Sequence, residues 1–97
     1  MARISGVPEN YGAVTSGEFS MNDWDSASIH ATSPTAVSNL IVEETLDGGT
    51  TWIQVSTTVT AIGVPLRVVV ASPVAAQCRW RFASGNGGAT RVLKKRS

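Results

Sequence analysis

Residues 45–52 read Thr-Leu-Asp-Gly-Gly-Thr-Thr-Trp, and this stretch contains the chemistry of a tight chain reversal. A β-rich run of apolar residues lies on either side of it. In the centre, the side chain of Asp47 is able to accept hydrogen bonds from nearby backbone amides, and Gly48 and Gly49 tolerate positive φ because they have no Cβ. The stretch therefore predicts a β-hairpin with Asp47, Gly48 and Gly49 as its structural turn residues.

The composition also favours strands and turns. The chain has 97 residues, which make one domain, and only 15% of them are charged, whereas Thr, Ser, Val and Ala are abundant. No apolar stretch approaches the ~18 residues of a membrane span. Residues 1–6 lack the apolar core of a secretory signal. We therefore expect a soluble protein that is made in the cytoplasm.

Turn residues recur about every ten positions, and no helical period of useful length is present. The intervening segments predict about seven short strands, at residues 24–31, 35–46, 51–56, 57–62, 66–71, 78–82 and 89–94. Such a series is typical of two antiparallel sheets packed face to face. The sequence predicts an all-β protein with an antiparallel β-sandwich, Ig-like or jelly-roll in topology, over residues 23–97.

The clearest strand identifies the core. Cys78, Trp80 and Phe82 alternate strictly with Arg79 and Arg81, so the two sets face opposite sides of the sheet. The apolar side belongs in the core. The predicted core residues are Trp24, Trp52, Cys78, Trp80 and Phe82.

Residues 1–22 contain little periodic apolar signal and predict an extended N-terminal arm. Such a segment does not bury enough surface to order itself, so it lies along its own domain or a neighbour, or it is a solvated tail. A docking arm would use the isolated Tyr11 and Phe19 as anchors.

The charges are distributed unevenly along the chain. All seven acidic residues precede position 48, and seven of the eight basic residues follow position 66. This polarity is satisfied either by neighbouring strands of one fold or by contact between subunits. The basic residues predicted to dock partners are Arg79, Arg81, Lys94, Lys95 and Arg96. Direct contact with nucleic acid is not expected, because the basic C-terminal residues have no interleaved aromatic platform.

No set of residues predicts catalysis or a metal. Cys78 and His30 are the only residues of their types, so neither an internal disulfide nor a Cys-based metal site forms, and an unreactive core thiol is favoured over a Cys-His pair. Asp23 and Asp25 are too few ligands for Ca²⁺. Glu43 and Glu44 face opposite sides of a strand. The loop at 84–88 lacks the Lys-Ser/Thr ending of a phosphate loop. We therefore predict neither enzymatic activity nor a cofactor.

The hairpin resembles the Asp-box motif, Ser/Thr-x-Asp-x-Gly-x-Thr-Trp. The matching residues are Thr45, Asp47, Gly49, Thr51 and Trp52. The resemblance implies that the Asp ties the turn together and that the Trp folds into the core beneath it. Sialidase-type propellers carry several copies, one per blade, but a blade needs ~40–45 residues and this chain has a single copy. Sialidase chemistry is thereby excluded, and the hairpin is expected to belong to a sandwich.

Over residues 24–94 the chain resembles a group of small virion proteins of tailed bacteriophages. The resemblance is carried by 42–52, by Arg79-Trp80-Arg81-Phe82, by Asn86-Gly87-Gly88 and by the final strand at 89–93. It implies a structural part of the particle, on the capsid surface or in the tail, and brings no catalytic residues with it.

Together these observations predict a non-enzymatic structural component of a phage virion, of the capsid decoration, cement or head–tail accessory type. Its partners would be capsid or tail proteins and copies of itself, as a homo-oligomer, without a membrane. The alternative is a small carbohydrate-binding β-sandwich module. That alternative requires an aromatic side chain outside the core, for which Tyr11 is the obvious candidate.

Overall fold

The computed structural model describes residues 4–6, 8–12, 14–22, 24–71, 77–84 and 88–96. This part of the chain forms nine β-strands: β1 (Ile4–Ser5), β2 (Glu9–Gly12), β3 (Ser16–Ser20), β4 (Ser26–Ala31), β5 (Asn39–Thr45), β6 (Ile53–Val59), β7 (Leu66–Ala71), β8 (Gln77–Phe82) and β9 (Thr90–Arg96). Within the described ranges, no helix is long and apolar enough to cross a membrane.

The strands form two antiparallel sheets, as the sequence predicts. Sheet A has the order β1-β9-β4-β7, and β2 also pairs with β9, along a different part of that strand from β1. Sheet B has the order β3-β8-β5-β6. Without the two-residue β1, the two sheets are β2-β9-β4-β7 and β3-β8-β5-β6, which is the strand order of a jelly roll and not that of an Ig-like sandwich. The predicted all-β sandwich is confirmed.

The core lies between the sheets because each inner strand places every second side chain inward. On β8, Cys78 and Trp80 are fully buried and Phe82 is 6% exposed, so these three predicted core residues are confirmed. Their partners across β5 in sheet B are Glu44, Val42 and Leu40. Ile29 of β4 and Val92 of β9 supply the facing layer from sheet A. Trp24 is half-buried and packs against this core from its rim.

The N-terminal segment is not a separate arm. Strands β1 and β2 pair with β9, and β3 pairs with β8 along its whole length. The predicted boundary at residue 22 is therefore wrong for the described residues, which belong to both sheets of the sandwich. The physical reason is a short period-two pattern: Gly17, Phe19 and Met21 point inward, and Phe19 and Met21 are each only 4% exposed. Phe19 is a core residue and not a docking anchor.

Two other boundaries differ from the prediction. The segments at 51–56 and 57–62 form one strand, β6, with a register shift opposite Val42 and Glu43. The strand predicted from residue 35 begins instead at Asn39. Pro34, which cannot donate to a ladder, is buried in the preceding bend, where its carbonyl accepts the Gly63 amide at 2.8 Å.

Candidate functional site

The turn at 45–52 is held together by its own side chains. Asp47 Oδ1 accepts hydrogen bonds from the Thr45 hydroxyl and from the Thr51 amide, both at 2.8 Å. The Gly49 amide donates to Thr45 Oγ1 at 2.9 Å. Gly48 and Gly49 have φ of 76° and 103°, which L side chains rarely adopt. The Thr51 amide, and next the Thr45 hydroxyl, lower the pKa of Asp47. The predicted structural turn is confirmed.

Trp52 lies outside the core, so its predicted core position is wrong. Its side chain is half-buried on the outer face of sheet B, where Nε1 donates to the Gly49 carbonyl at 3.1 Å. The guanidinium carbon of Arg79 is 4.2 Å from the centroid of the indole. The hydrogen bond and the cation–π contact hold the ring over the turn and away from the space between the sheets.

Arg79 and Arg81 share one carboxylate on the same outer face. Their Nε atoms lie 2.9 Å and 2.7 Å from Glu43 Oε1. Glu43 is 7% exposed, and desolvation by itself would raise its pKa, but the hydrogen bonds from Arg81 and Arg79 and their charges outweigh it, so the pKa is lowered. These two basic residues, predicted to dock a partner, are engaged within their own sheet. The acidic residue lies on β5 and the two basic residues on the neighbouring strand β8, so these charges are paired within one fold.

Tyr11 is held by its own domain and not by a partner. Its ring meets Trp80 edge-on with the centroids 5.4 Å apart. Its hydroxyl donates to the Glu18 carbonyl at 2.8 Å. Burial, and next the charge of Glu9, raise the pKa of Tyr11 to about 12. The predicted docking role of Tyr11, and its availability to bind a sugar, are therefore contradicted by these contacts.

The basic residues at the end of the chain lie on β9. Lys94 Nζ is 3.3 Å from Glu9 Oε1, an ion pair between β9 and β2. The guanidinium carbon of Arg96 is 5.2 Å from the centroid of Trp24. Lys95 is half-buried and lies opposite Ser26 of β4. Lys94 and Arg96 therefore both contact side chains of the sandwich itself, and Arg96 is the most exposed of the predicted docking residues.

Cys78 and His30 do not form a catalytic pair, because they face opposite directions. Cys78 points into the core from sheet B, and burial, followed by the charge of Glu44, raises the pKa of its thiol to about 11. His30 lies on the outer face of sheet A, with Nε2 3.0 Å from the Ser28 hydroxyl. Desolvation, then the charges of Arg67 and Lys95, lower the pKa of His30.

Metal ligands do not cluster in the part of the chain that the structure describes, where no three His, Cys, Asp or Glu residues lie close enough to hold an ion. Asp23, one of the two carboxylates considered for Ca²⁺, lies outside the described residues, as do Gly85, Asn86 and Gly87 of the glycine-rich loop.

One shallow depression lies beside the hairpin turn. It has a volume of about 330 Å³ and is lined by Ser16, Gly17, Glu18, Gly48, Gly49, Trp52 and Arg79. It is the place where an aromatic ring, a carboxylate and backbone polar groups meet at the surface. Arg79 covers one face of the indole, so the ring is only partly available to a flat ligand.

The exposure of strand β6 as a sheet edge is the largest feature that the sequence did not predict. This strand is the last one of sheet B, and all of its side chains except the half-buried Ser56 are exposed. Val59 is 69% exposed, Ile53 49% and Val55 41%. The stretch from Gly48 to Leu66 contains no charged residue. The signal was present in the sequence as this charge-free stretch of β-branched residues, but edge position depends on sheet order.

Comparisons with known proteins bear on the fold. No family model matches the sequence, and no curated protein matches it. Among solved structures, a chain from Bacillus endospore appendages, described as a novel family of disulfide-linked pili, is similar with a TM-score of 0.53 and 18% sequence identity. The likeness covers 99% of this chain and 85% of that chain. At this identity the likeness concerns the fold alone, and this protein is an all-β sandwich that shares it.

Proposed function

We propose that this protein is a non-enzymatic structural subunit of a protein assembly, and specifically a component of a bacteriophage particle that binds copies of itself and a larger shell or tail protein. The observation that carries the proposal is strand β6, a sheet edge of seven residues that is exposed and uncharged. Soluble monomers ordinarily protect such an edge with lysines, prolines or a covering loop. A subunit whose edge is covered by a neighbour has no need of that protection.

The similar solved chain comes from endospore appendages that are described as disulfide-linked pili. Cys78 is the single cysteine of the present sequence, fully buried, with a thiol pKa raised by burial to about 11. The proposed assembly of this protein is therefore held by non-covalent contacts and not by disulfides.

A carbohydrate-binding module is the second candidate. It is favoured by Trp52, which lies outside the core beside the depression that Glu18 and Ser16 also line. Sugar-binding sites combine an aromatic face with a few polar groups. Against it, Arg79 lies over the indole, and a sugar would have to displace it.

The test is sedimentation velocity over a range of protein concentrations, at low and at physiological salt, together with antibody labelling of purified phage particles viewed by electron microscopy. We expect concentration-dependent association and labelled particles. A protein that remains monomeric at every concentration and is absent from particles would contradict the proposal. In that case, measurable binding to a glycan array, lost in Trp52→Ala, would favour the sugar-binding module.

A further inference from the structure

The exposed edge of β6 has backbone groups ready to pair. The Thr60 amide donates to the Ser38 carbonyl at 2.8 Å, so these two residues, which directly follow the last pair of the β5–β6 ladder, Val59 with Asn39, are hydrogen-bonded to each other. Hydrogen-bonded and non-hydrogen-bonded pairs alternate in an antiparallel ladder. The backbone N–H and C=O groups of Thr58, two residues before Thr60, are therefore also directed toward β5. Thr57 and Val59 therefore direct their N–H and C=O groups away from the sheet.

Only part of β6 is straight enough to extend the sheet. The register shift between Val42 and Glu43 places an extra residue, Val55, in β6, and such a bulge bends and twists the strand locally. The bulge protects the first half of the edge. The second half, Ser56–Val59, has regular pairing with β5 and none of the devices that block an edge, since it carries no charge, proline or glycine.

The opposite edge of sheet B is guarded. On β3, the backbone carbonyl of Glu18 already accepts a hydrogen bond from the Tyr11 hydroxyl. The Glu18 carboxylate accepts a second hydrogen bond, at 3.1 Å, from the side-chain amide of Gln77. Strand β7, one edge of sheet A, carries Arg67, whose side chain is exposed. A head-to-tail arrangement that continues sheet B would have to displace the Tyr11 contact, whereas pairing of β6 with β6 disturbs nothing.

Charge also distinguishes self-pairing from the other arrangements. A two-fold axis brings the residue that lies on it close to its own copy, so a charged side chain at that position meets a like charge. An axis at Glu18 of β3, or at Arg67 of β7, would therefore place two like charges face to face. The stretch 48–66 has no charge to repel its copy, and it presents Val59 and the neighbouring Ile62, both about two-thirds exposed, to a second apolar surface.

We propose that β6 pairs antiparallel with β6 of a second copy of this chain, about a two-fold axis at Thr58, and so joins two copies of sheet B into one eight-stranded sheet. This inference rests on the proposed function and names its contact. With the axis at Thr58, Thr57 of each copy pairs with Val59 of the other through the backbone groups that point away from β5. Thr58 then faces Thr58 in a non-hydrogen-bonded pair, where side chains approach most closely.

The first test is a pair of charge variants. Thr58→Lys and Thr58→Glu each place like charges face to face, and we expect association measured by sedimentation equilibrium to weaken at least about tenfold in either variant alone. An equimolar mixture of the two should associate at least as tightly as the unaltered protein. Thr50→Lys, an exposed threonine in the turn, is the matched control and should leave association unchanged. Circular dichroism checks that each variant remains folded.

The second test uses engineered cysteines and does not depend on affinity. Because Cys78 is buried, a single cysteine at Thr58 reports its own contacts under mild oxidation. Thr58→Cys should form disulfide-linked dimers much faster than Ser56→Cys or the exposed Ser20→Cys on β3.

Each other outcome overturns the inference. Crosslinking only in a mixture of Thr58→Cys with Ser20→Cys would mean head-to-tail pairing of β6 with β3. Association that persists unchanged in Thr58→Lys and Thr58→Glu would remove β6 from the interface while leaving the structural-subunit proposal in place. A protein that never associates at all would remove both.

Discussion

The ring of Tyr11 meets the indole of Trp80 edge-on, with an interplanar angle of 79° and 5.4 Å between the ring centroids. This contact joins β2 of sheet A to the central strand β8 of sheet B, and it makes the N-terminal segment part of the core. Edge-to-face aromatic pairs of this kind contribute about 0.5–1.5 kcal/mol beyond the area that they bury.

Gly17 has no side chain, and the rings of Tyr11 and Trp80 occupy the space that a side chain at this position would fill. A Cβ added there would lie 2.6 Å from Tyr11 Cδ1 and 2.7 Å from Trp80 Nε1, closer than van der Waals contact allows. We expect Gly17→Ala to lower the free energy of unfolding by about 1–3 kcal/mol, as overpacking of a core usually does. Urea denaturation measures this, with the adjacent, exposed Ser16→Ala as control. Equal stability of both variants would show that Tyr11 has room to move.

Substitution by alanine should reduce stability far more at Trp80 in the core than at Trp52 in the hairpin. Trp80 is fully buried, and Trp80→Ala should lower the free energy of unfolding by about 3–5 kcal/mol, enough to unfold a marginally stable domain. Trp52 is half-buried on the outer face, and Trp52→Ala should leave a folded protein. Thermal unfolding followed by circular dichroism compares them, and a Trp52→Ala variant that fails to fold would return Trp52 to the core.

Glu43 should make stability depend on pH. Its folded pKa is lowered from 4.5, so the carboxylate stabilises the fold above that value, and this contribution is lost as the pH falls through the folded pKa. We expect Glu43→Gln to lower the free energy of unfolding at neutral pH by about 1–2 kcal/mol, a modest amount because the side chains of Arg79 and Arg81 are 30% and 37% exposed. As the pH falls below 4.5, the variant should lose less stability than the unaltered protein. An identical pH dependence in the two proteins would contradict this role.

Asp47 should act on stability and not on assembly. Asp47→Ala removes the acceptor for the Thr45 hydroxyl and the Thr51 amide, so we expect a lower melting temperature with association unchanged. Asp47→Asn keeps one oxygen acceptor and should retain most of the stability. Since the folded pKa of Asp47 is lowered from 3.8, its contribution is present above that value and is lost at more acidic pH. Loss of association without loss of stability in Asp47→Ala would make the turn an interaction site.

Cys78 should be unreactive in the native protein. It is fully buried and its thiol pKa is raised to about 11, so at neutral pH both access and thiolate are lacking. A colorimetric thiol reagent should label the native protein only as fast as it unfolds, and the urea-denatured protein at once. Rapid labelling without denaturant would mean that β8 has the opposite face inward.

The sequence alone predicts the structural features that are determined by residues close together in the chain. The alternation in β8 identifies Cys78, Trp80 and Phe82 as core, and the Asp47-Gly48-Gly49 turn follows from the hydrogen-bonding capacity of Asp and the freedom of Gly. The position of Trp52 does not follow, because it depends on Arg79, which β5 and β8 bring close only after long-range pairing.

Neither the N-terminal strands nor the edge position of β6 follows from the local sequence, because both depend on pairing between distant strands. Strand β3 has only five residues, and its partner β8 lies about sixty residues further along the chain, so its local pattern is weak. Strand β6 resembles any β-branched strand until the sheet order places it at an edge.

The position of β9 constrains when the protein folds during synthesis. Strand β9 lies between β4 and the pair β1 and β2, so both of these regions wait for a strand that the ribosome makes after all the others described. Until then, the inner face of β4 has no complete core to cover it. We therefore expect the sandwich to close only once β9 has been made, and to do so in milliseconds to seconds, because its strand pairings join residues far apart in the sequence.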